Sequence, residues 1–151
     1  MIVTSSSAAK RERALTLGAV AAIDYAAVPQ WGAEVMRLTG GRGADVVVEV
    51  GGPGTFDQSV AALRYGGTMS LVGLLTGRTG AVNTAAIFNR AIRIAGIYVG
   101  SRRMFEALNR ALEARAIRPV IDATFAFEDA PRAYEHLESG RHFGKVVIRV
   151  D

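Results

Sequence analysis

The sequence predicts an α/β fold, a doubly wound parallel sheet with helices on both faces. Two observations carry the prediction. Short apolar runs rich in β-branched residues alternate with amphipathic stretches of helical period along the 151 residues. The run Asp45 to Val50 (DVVVEV) barely alternates, as expected of a strand covered on both faces. Right-handed crossovers between such strands make the fold doubly wound.

The elements follow in order. Ile2-Val3-Thr4 is a short strand. Ser5-Ser6-Ser7 can cap a helix from Ala9 to Leu17, which Gly18 stops. Ala22 to Tyr25 is a second short strand. Trp31, Val35 and Leu38 stand at i, i+4, i+7 on one helical face, and Gly40-Gly41 ends that helix. After the strand Asp45 to Val50, Phe56, Val60 and Leu63 mark a helix that Gly66-Gly67 ends. Thr68 to Leu74 and Ile92 to Val99 are the next buried strands, and Phe105, Leu108 and Leu112 mark another helix. The register changes after Arg118, dividing the chain into residues 1–117 and 118–151. Pro119 to Phe127 is extended. Ala130, Ala133, Tyr134 and Leu137 form a helix face with Pro131 in the first turn, and Lys145 to Val150 is a closing strand. No internal repeat or low-complexity segment interrupts this pattern.

Composition removes several function classes. Half the residues are hydrophobic, enough for a real core. Cysteine is absent, which excludes disulfides and thiolate metal sites. The two histidines, His136 and His142, are too few for a zinc site without carboxylate help. No apolar run reaches the ~18 residues of a membrane span, and MIVTSSSAAKRER has no apolar core ahead of a cleavage site. A cytoplasmic protein with no membrane partner is expected. The net charge of +4 is spread along the chain without interleaved aromatics. It therefore suggests either a plain basic surface or an anionic small ligand, and no nucleic acid.

In a doubly wound sheet ligands sit beyond the carboxyl ends of the strands. Four turns are candidates. In Thr4-Ser5-Ser6-Ser7, with Lys10 and Arg11 one turn later, hydroxyls stand where an NAD site would carry a ribose-binding acid. Hydroxyls can donate to a 2′-phosphate and Lys10 can neutralise it; the plain alternative is a helix cap with solvated cations. Val50-Gly51-Gly52-Pro53-Gly54 and Val72-Gly73-Leu74 either let a ligand lie against the backbone or simply turn the chain. His142-Phe143-Gly144-Lys145 offers Lys145 to an anion or is an edge strand with a surface lysine. No acid–base pair or nucleophilic triad is visible, so no catalytic residue is assigned. Glu49, inside a buried-looking strand, is expected to be hydrogen-bonded and structural.

The blocks MIVTSSSAAKRERALTLGA, AIDY, TGGRGADVVVEVGG, LRYGGTMSLVGLLTG and HFGKVVIRV, in this order and spacing, resemble the zinc-type (medium-chain) alcohol dehydrogenase and quinone oxidoreductase superfamily over essentially the whole chain. GIYVGSRRMFEALNRAL is similar to its zinc-type alcohol dehydrogenase-like branch. The resemblance implies a Rossmann-like fold lacking its first strand, followed by a return into the catalytic domain. It implies an NADP(H)-preferring oxidoreductase of alcohols, carbonyls, quinones or enones, with NAD(H) the lesser cofactor. Ser5 falls where NAD-dependent members carry the ribose-binding acid, and Ser6 lies beside it. Lys10 and Tyr25 match positions near the ribose or its 2′-phosphate. Val50 and Gly51 border the adenosine. Val72 (with Gly73), Ile97 and Val99 match positions around the nicotinamide carboxamide. Gly144 and Lys145 lie near the pyrophosphate.

Family members are longer. The GroES-like catalytic domain with any zinc ligands, the first strand and the glycine-rich phosphate turn would all precede Met1. Zinc is therefore not expected in this chain, and activity of the chain alone is doubtful. Without the central first strand, the strands at Ile2 and Asp45 are expected to expose unpaired backbone, unless they close the gap by pairing directly. The resemblance also implies a homodimer edge at 92–99, so the alternative to an enzyme part is a non-catalytic cofactor-binding or dimerisation module.

Overall fold

A computed structural model describes residues 1–150, in two compact units, Met1–Val99 and Gly100–Asp151. In the first, β1 (Ile2–Thr4), α1 (Ala8–Thr16), β2 (Ala21–Ile23) and α2 (Trp31–Leu38) are followed by β3 (Ala44–Glu49), α3 (Pro53–Ala62), β4 (Leu63–Leu71), α4 (Thr84–Asn89) and β5 (Arg93–Gly96). Every paired strand is parallel to its neighbour. The α/β class with parallel strands and helical crossovers is therefore as the sequence predicts.

The sheet is interrupted in one place. β1 pairs with β2, and β3, β4 and β5 pair in that order, but β1 and β3 do not pair with each other. This is the pattern of a 3-2-1-4-5-6 sheet without its central strand. Direct closure of the gap does not occur. Two apolar clusters hold the unit together. Ile23, Val35 and Ala62, with Ile2, Trp31, Ala44 and Val47 against them, join the two sheets through α2 and α3. Phe56, Val60, Leu63, Met69 and Ile92 form the core under α3 and α4. Gly32 lets α2 approach α3 closely, since a Cβ there would stand 2.5 Å from the Gln58 carbonyl oxygen. Its own N–H is held by Gln58 Oε1 at 2.9 Å.

Several elements differ from expectation, among them β4, which runs Leu63–Leu71 and not Thr68 to Leu74. The helix marked by Phe56 and Val60 stops at Ala62, not at Gly66, and Leu63 already pairs with Ala44. The guanidinium of Arg90 explains the early stop. It donates to the carbonyls of Val60 (3.2 Å), Ala61 (3.0 Å) and Leu63, satisfying the helix end from a distant segment. β3 is not covered on both faces. Val47 and Glu49 face the core, whereas Val46 and Val48 remain 57% and 65% exposed. β5 is short, and Ile97 to Val99 continue beyond it, with Ile97 N–H still on the Leu71 carbonyl at 2.9 Å. α4, a short helix whose Asn83 cap accepts from Ala86 N–H, was not foreseen, because six residues carry too little periodicity to register.

The second unit contains α5 (Arg102–Ala114), β6 (Ile121–Ala126), a 3-10 turn at Phe127–Asp129, α6 (Ala130–Glu138) and β7 (Lys145–Arg149). β6 and β7 pair in parallel. Asp122 ties this unit together, accepting from the Phe143 N–H at 2.9 Å and meeting His136 Nε2 at 2.7 Å. Pro131 sits in the first turn of α6, as expected. No helix among the described residues is long and apolar enough to cross a membrane.

Candidate functional site

Parallel strands align their carboxyl ends, so the turns after β1 and β2 form one edge. The first tip is the serine run. Its three hydroxyls do three different things. Ser7 is the helix cap, its Oγ accepting from Lys10 N–H at 3.4 Å. Ser5 Oγ accepts from Ser7 N–H at 3.2 Å and shapes the turn, which leaves its own proton to donate elsewhere. Ser6 Oγ is exposed and shares a hydrogen bond of 3.2 Å with Tyr25 OH from the β2 tip. The capping and ligand readings of this run are thus divided among residues rather than exclusive.

The backbone ladder continues into the tip, with Ser5 N–H on the Ile23 carbonyl at 3.0 Å. Arg11, on α1, donates from Nη1 to the Ser5 carbonyl at 2.7 Å and meets Asp24 Oδ2 at 2.9 Å. Asp24 Oδ1 accepts from the N–H groups of Ala26 (3.0 Å) and Ala27 (3.3 Å). The Ala27 hydrogen bond does most to hold the Asp24 carboxyl below its ordinary range, with Ala26 and Arg11 adding to it against a smaller cost of desolvation. The Asp24 carboxylate is therefore already engaged. The structure brings Ser5, Ser6 and Tyr25 together here, with Lys10 in the first turns of the adjoining helix.

The second edge lies beyond β3, β4 and β5. Val50, Val72, Ile97 and Val99 are all exposed there. Glu49, only 3% exposed, anchors the turn beneath them. Its Oε1 accepts from Gly51 N–H (2.6 Å), Gly52 N–H (2.9 Å) and Thr55 Oγ1 (2.6 Å), and its Oε2 accepts from Ser59 Oγ. Burial pushes the carboxyl up, and the bonds from Ser59, Thr55 and the two glycine amides more than reverse this, so it titrates below its ordinary value. Glu49 is a structural anion, as the sequence suggested. Gly51 and Gly73 are required by contacts inside the chain. A Cβ on Gly51 would strike the Thr55 side chain and one on Gly73 the Val50 carbonyl. Beside this edge a cavity of about 280 Å3 is walled by Pro53, Phe56, Leu71, Leu74 and Arg78. Gly144 and Lys145 belong to the second unit, where Gly144 takes a φ of +103° and Lys145 N–H bonds the Val120 carbonyl at 2.9 Å.

Arg11, Asp24 and Arg90 carry roles that sequence reasoning missed. Beyond the Ser5 contact of Arg11 and the Ala26 and Ala27 contacts of Asp24, each binds a partner 13 or more positions away, and no periodicity records such pairs. Among the described residues no group of three His, Asp or Glu side chains could hold a metal ion. With no cysteine in the chain, the donor set does not fit zinc.

The zinc-binding dehydrogenase family model matches residues 1–114. A zinc-type alcohol dehydrogenase-like protein of Schizosaccharomyces pombe is 40% identical over 153 aligned residues, covering 99% of this chain and 44% of that protein. A crystal structure described as an alcohol dehydrogenase of Sinorhizobium meliloti 1021 superposes with a TM-score of 0.89 at 38% identity, over 99% of this chain and 43% of that one. The crystal structure of an NAD-dependent alcohol dehydrogenase gives 0.87 at 34% identity, over 99% and 43%. A mycobacterial protein complexed with NADPH gives 0.81 at 28% identity, over 99% and 49%. The chain thus spans less than half the length of these relatives, and it belongs to the zinc-binding dehydrogenase family, matching the C-terminal Rossmann-like part of its members.

Proposed function

We propose that this chain is the cofactor-binding part of an NADP(H)-preferring oxidoreductase acting on an alcohol, carbonyl, quinone or enone. One observation carries the reading. At the adenosine end, Ser5, Ser6 and Tyr25 present hydroxyls, Lys10 stands in the adjoining helix, and the nearby Asp24 carboxylate is neutralised by Arg11. A 2′-phosphate needs donors and positive charge, and a free carboxylate would repel it. The residues present therefore fit the phosphorylated ribose. Val50 and Gly51 would border the adenosine, and Val72, Gly73, Ile97 and Val99 the nicotinamide. When bound, the nicotinamide supplies the hydride. The chain's own residues bind and orient it, and none of them moves a proton in this reading.

The test is an amide-resolved NMR titration of the chain with adenosine 2′-monophosphate. Shifts centred on Ser5, Ser6, Lys10 and Tyr25 are expected. Shifts confined to other residues, or none at millimolar nucleotide, would overturn the assignment. A second reading, a dimerisation module, is favoured by the exposed apolar run Ile94, Ile97, Tyr98 and Val99 along and beyond β5, which has one strand partner.

A further inference from the structure

We infer that Arg11 is a positioning residue of the adenosine site: it sets nucleotide preference by tying the serine tip to the β2 tip, and does not itself hold the phosphate. The inference rests on the reading of Ser5, Ser6 and Tyr25 as the 2′-phosphate end.

The geometry is specific. Arg11 lies in α1, and its single Nη1 serves two acceptors on two other segments, the Ser5 carbonyl at 2.7 Å and Asp24 Oδ2 at 2.9 Å. A guanidinium Nη carries two N–H bonds, so both contacts are satisfied at once by that atom. The pair is only partly exposed, 21% for Arg11 and 28% for Asp24, so water competes less for it than at an open surface pair. Asp24 is in turn fixed by the Ala26 and Ala27 N–H groups, which makes it a rigid anchor rather than a swinging carboxylate. The chain of contacts runs from the Ala26–Ala27 turn through Asp24 and Arg11 to the Ser5 carbonyl.

The consequence is positional. Ser5 N–H is held by the Ile23 carbonyl and Ser5 C=O by Arg11, so the peptide groups on both sides of this residue are pinned. Ser6 follows directly and meets Tyr25 OH at 3.2 Å. Released from Arg11, the serine turn keeps the Ser5 N–H bond to Ile23 and its local Oγ–amide bonds, but the Ser5 carbonyl is unpinned and the distance between the Ser6 and Tyr25 hydroxyls is no longer set. Asp24 also has a second effect. It engages the Arg11 cation and is engaged by it, so neither this carboxylate nor this guanidinium is free to meet a ligand. Discrimination then falls to the hydroxyls and Lys10.

The experiment compares adenosine 2′-monophosphate with adenosine 5′-monophosphate by titration of the whole chain, in wild type, Arg11→Leu and Asp24→Asn, with hydrogen exchange of the ligand-free proteins alongside. The wild type is expected to prefer the 2′-phosphate. Both substitutions are expected to reduce that preference by about tenfold, the worth of one charge-assisted hydrogen bond. Both are also expected to speed exchange at Ser5 and Ser7 without changing exchange in α3. Preference lost in Arg11→Leu but raised in Asp24→Asn overturns the proposal, because it marks Arg11 as a direct phosphate ligand that Asp24 restrains. Unchanged preference in both variants overturns it as well. A wild type without preference overturns the underlying 2′-phosphate reading instead, and in that case the exchange data alone decide whether Arg11 ties the two tips.

Discussion

Glu49 shows how one buried charge can organise a turn. Three donors converge on Oε1 and one on Oε2, and two of the four are backbone amides of Gly51 and Gly52, which lead into α3. Glu49→Gln keeps the shape but places an amide against donors. It is expected to lower unfolding free energy by about 2 kcal/mol, read from urea denaturation, since hydrogen bonds to charged groups carry about that much each. An unchanged midpoint would remove Glu49 from its role as anchor. The same carboxyl, with Asp45, sets an acid limit. Asp45 is drawn down from 3.8 to about 2 by Arg42 first and then Arg64, and Glu49 lies below 4.5. Both groups protonate more readily in the unfolded chain than in the folded one. Their contribution is therefore complete above 4.5 and is lost as pH falls toward about 2. Melting temperature recorded by circular dichroism is expected to fall across that window; a flat profile would contradict it.

At the scale of elements, the boundary between α3 and β4 is decided from outside both. Apolar spacing through Leu63 and the Gly66-Gly67 pair suggest a longer helix. Arg90, which follows α4, takes the last carbonyls of α3, and Leu63 is recruited into the sheet beside Ala44. Arg90→Ala leaves those carbonyls without their donor. It is expected to destabilise the chain by about 2 kcal/mol and to speed amide exchange at the end of α3 before the rest of the unit. Uniformly changed exchange would mean that Arg90 acts on the core instead. The candidate site depends on element ends in the same way. Ser5, Val50 and Val72 stand in turns after strands, which have a predictable side of a parallel sheet; Ile97, read as lying inside the strand Ile92 to Val99, entered only through the family resemblance, and β5 ends just before it.

For the molecule as a whole, the open edges matter most. β1 and β3 each have one partner, as does β5, and unpaired edges recruit further strands. The β5 edge carries the exposed apolar residues Ile94, Ile97, Tyr98 and Val99 along it and past it. The ladder alternates, and Ile97 N–H faces Leu71, so Ile94 N–H faces outward. Light scattering is expected to show twice the 16.0 kDa chain mass. Ile94→Pro, which deletes that outward donor without touching the β4 ladder, is expected to return the chain to monomer. A monomeric wild type would count against the edge as an interface.

The amino-acid sequence by itself determined the α/β class, the parallel strands, most helix positions and the turns that follow the strands, because these follow from local periodicity and the fixed direction of strand ends. The three-dimensional fold decided what could not be local. It divided the serine run into a cap, a turn and an outward hydroxyl, engaged Asp24 with Arg11, ended α3 at Ala62, and left Val46 and Val48 exposed where continuous apolar character had suggested cover. Each of these depends on groups distant in the chain meeting at hydrogen-bond range, and on which sheet face the helices occupy, and neither is written in the spacing of neighbouring residues.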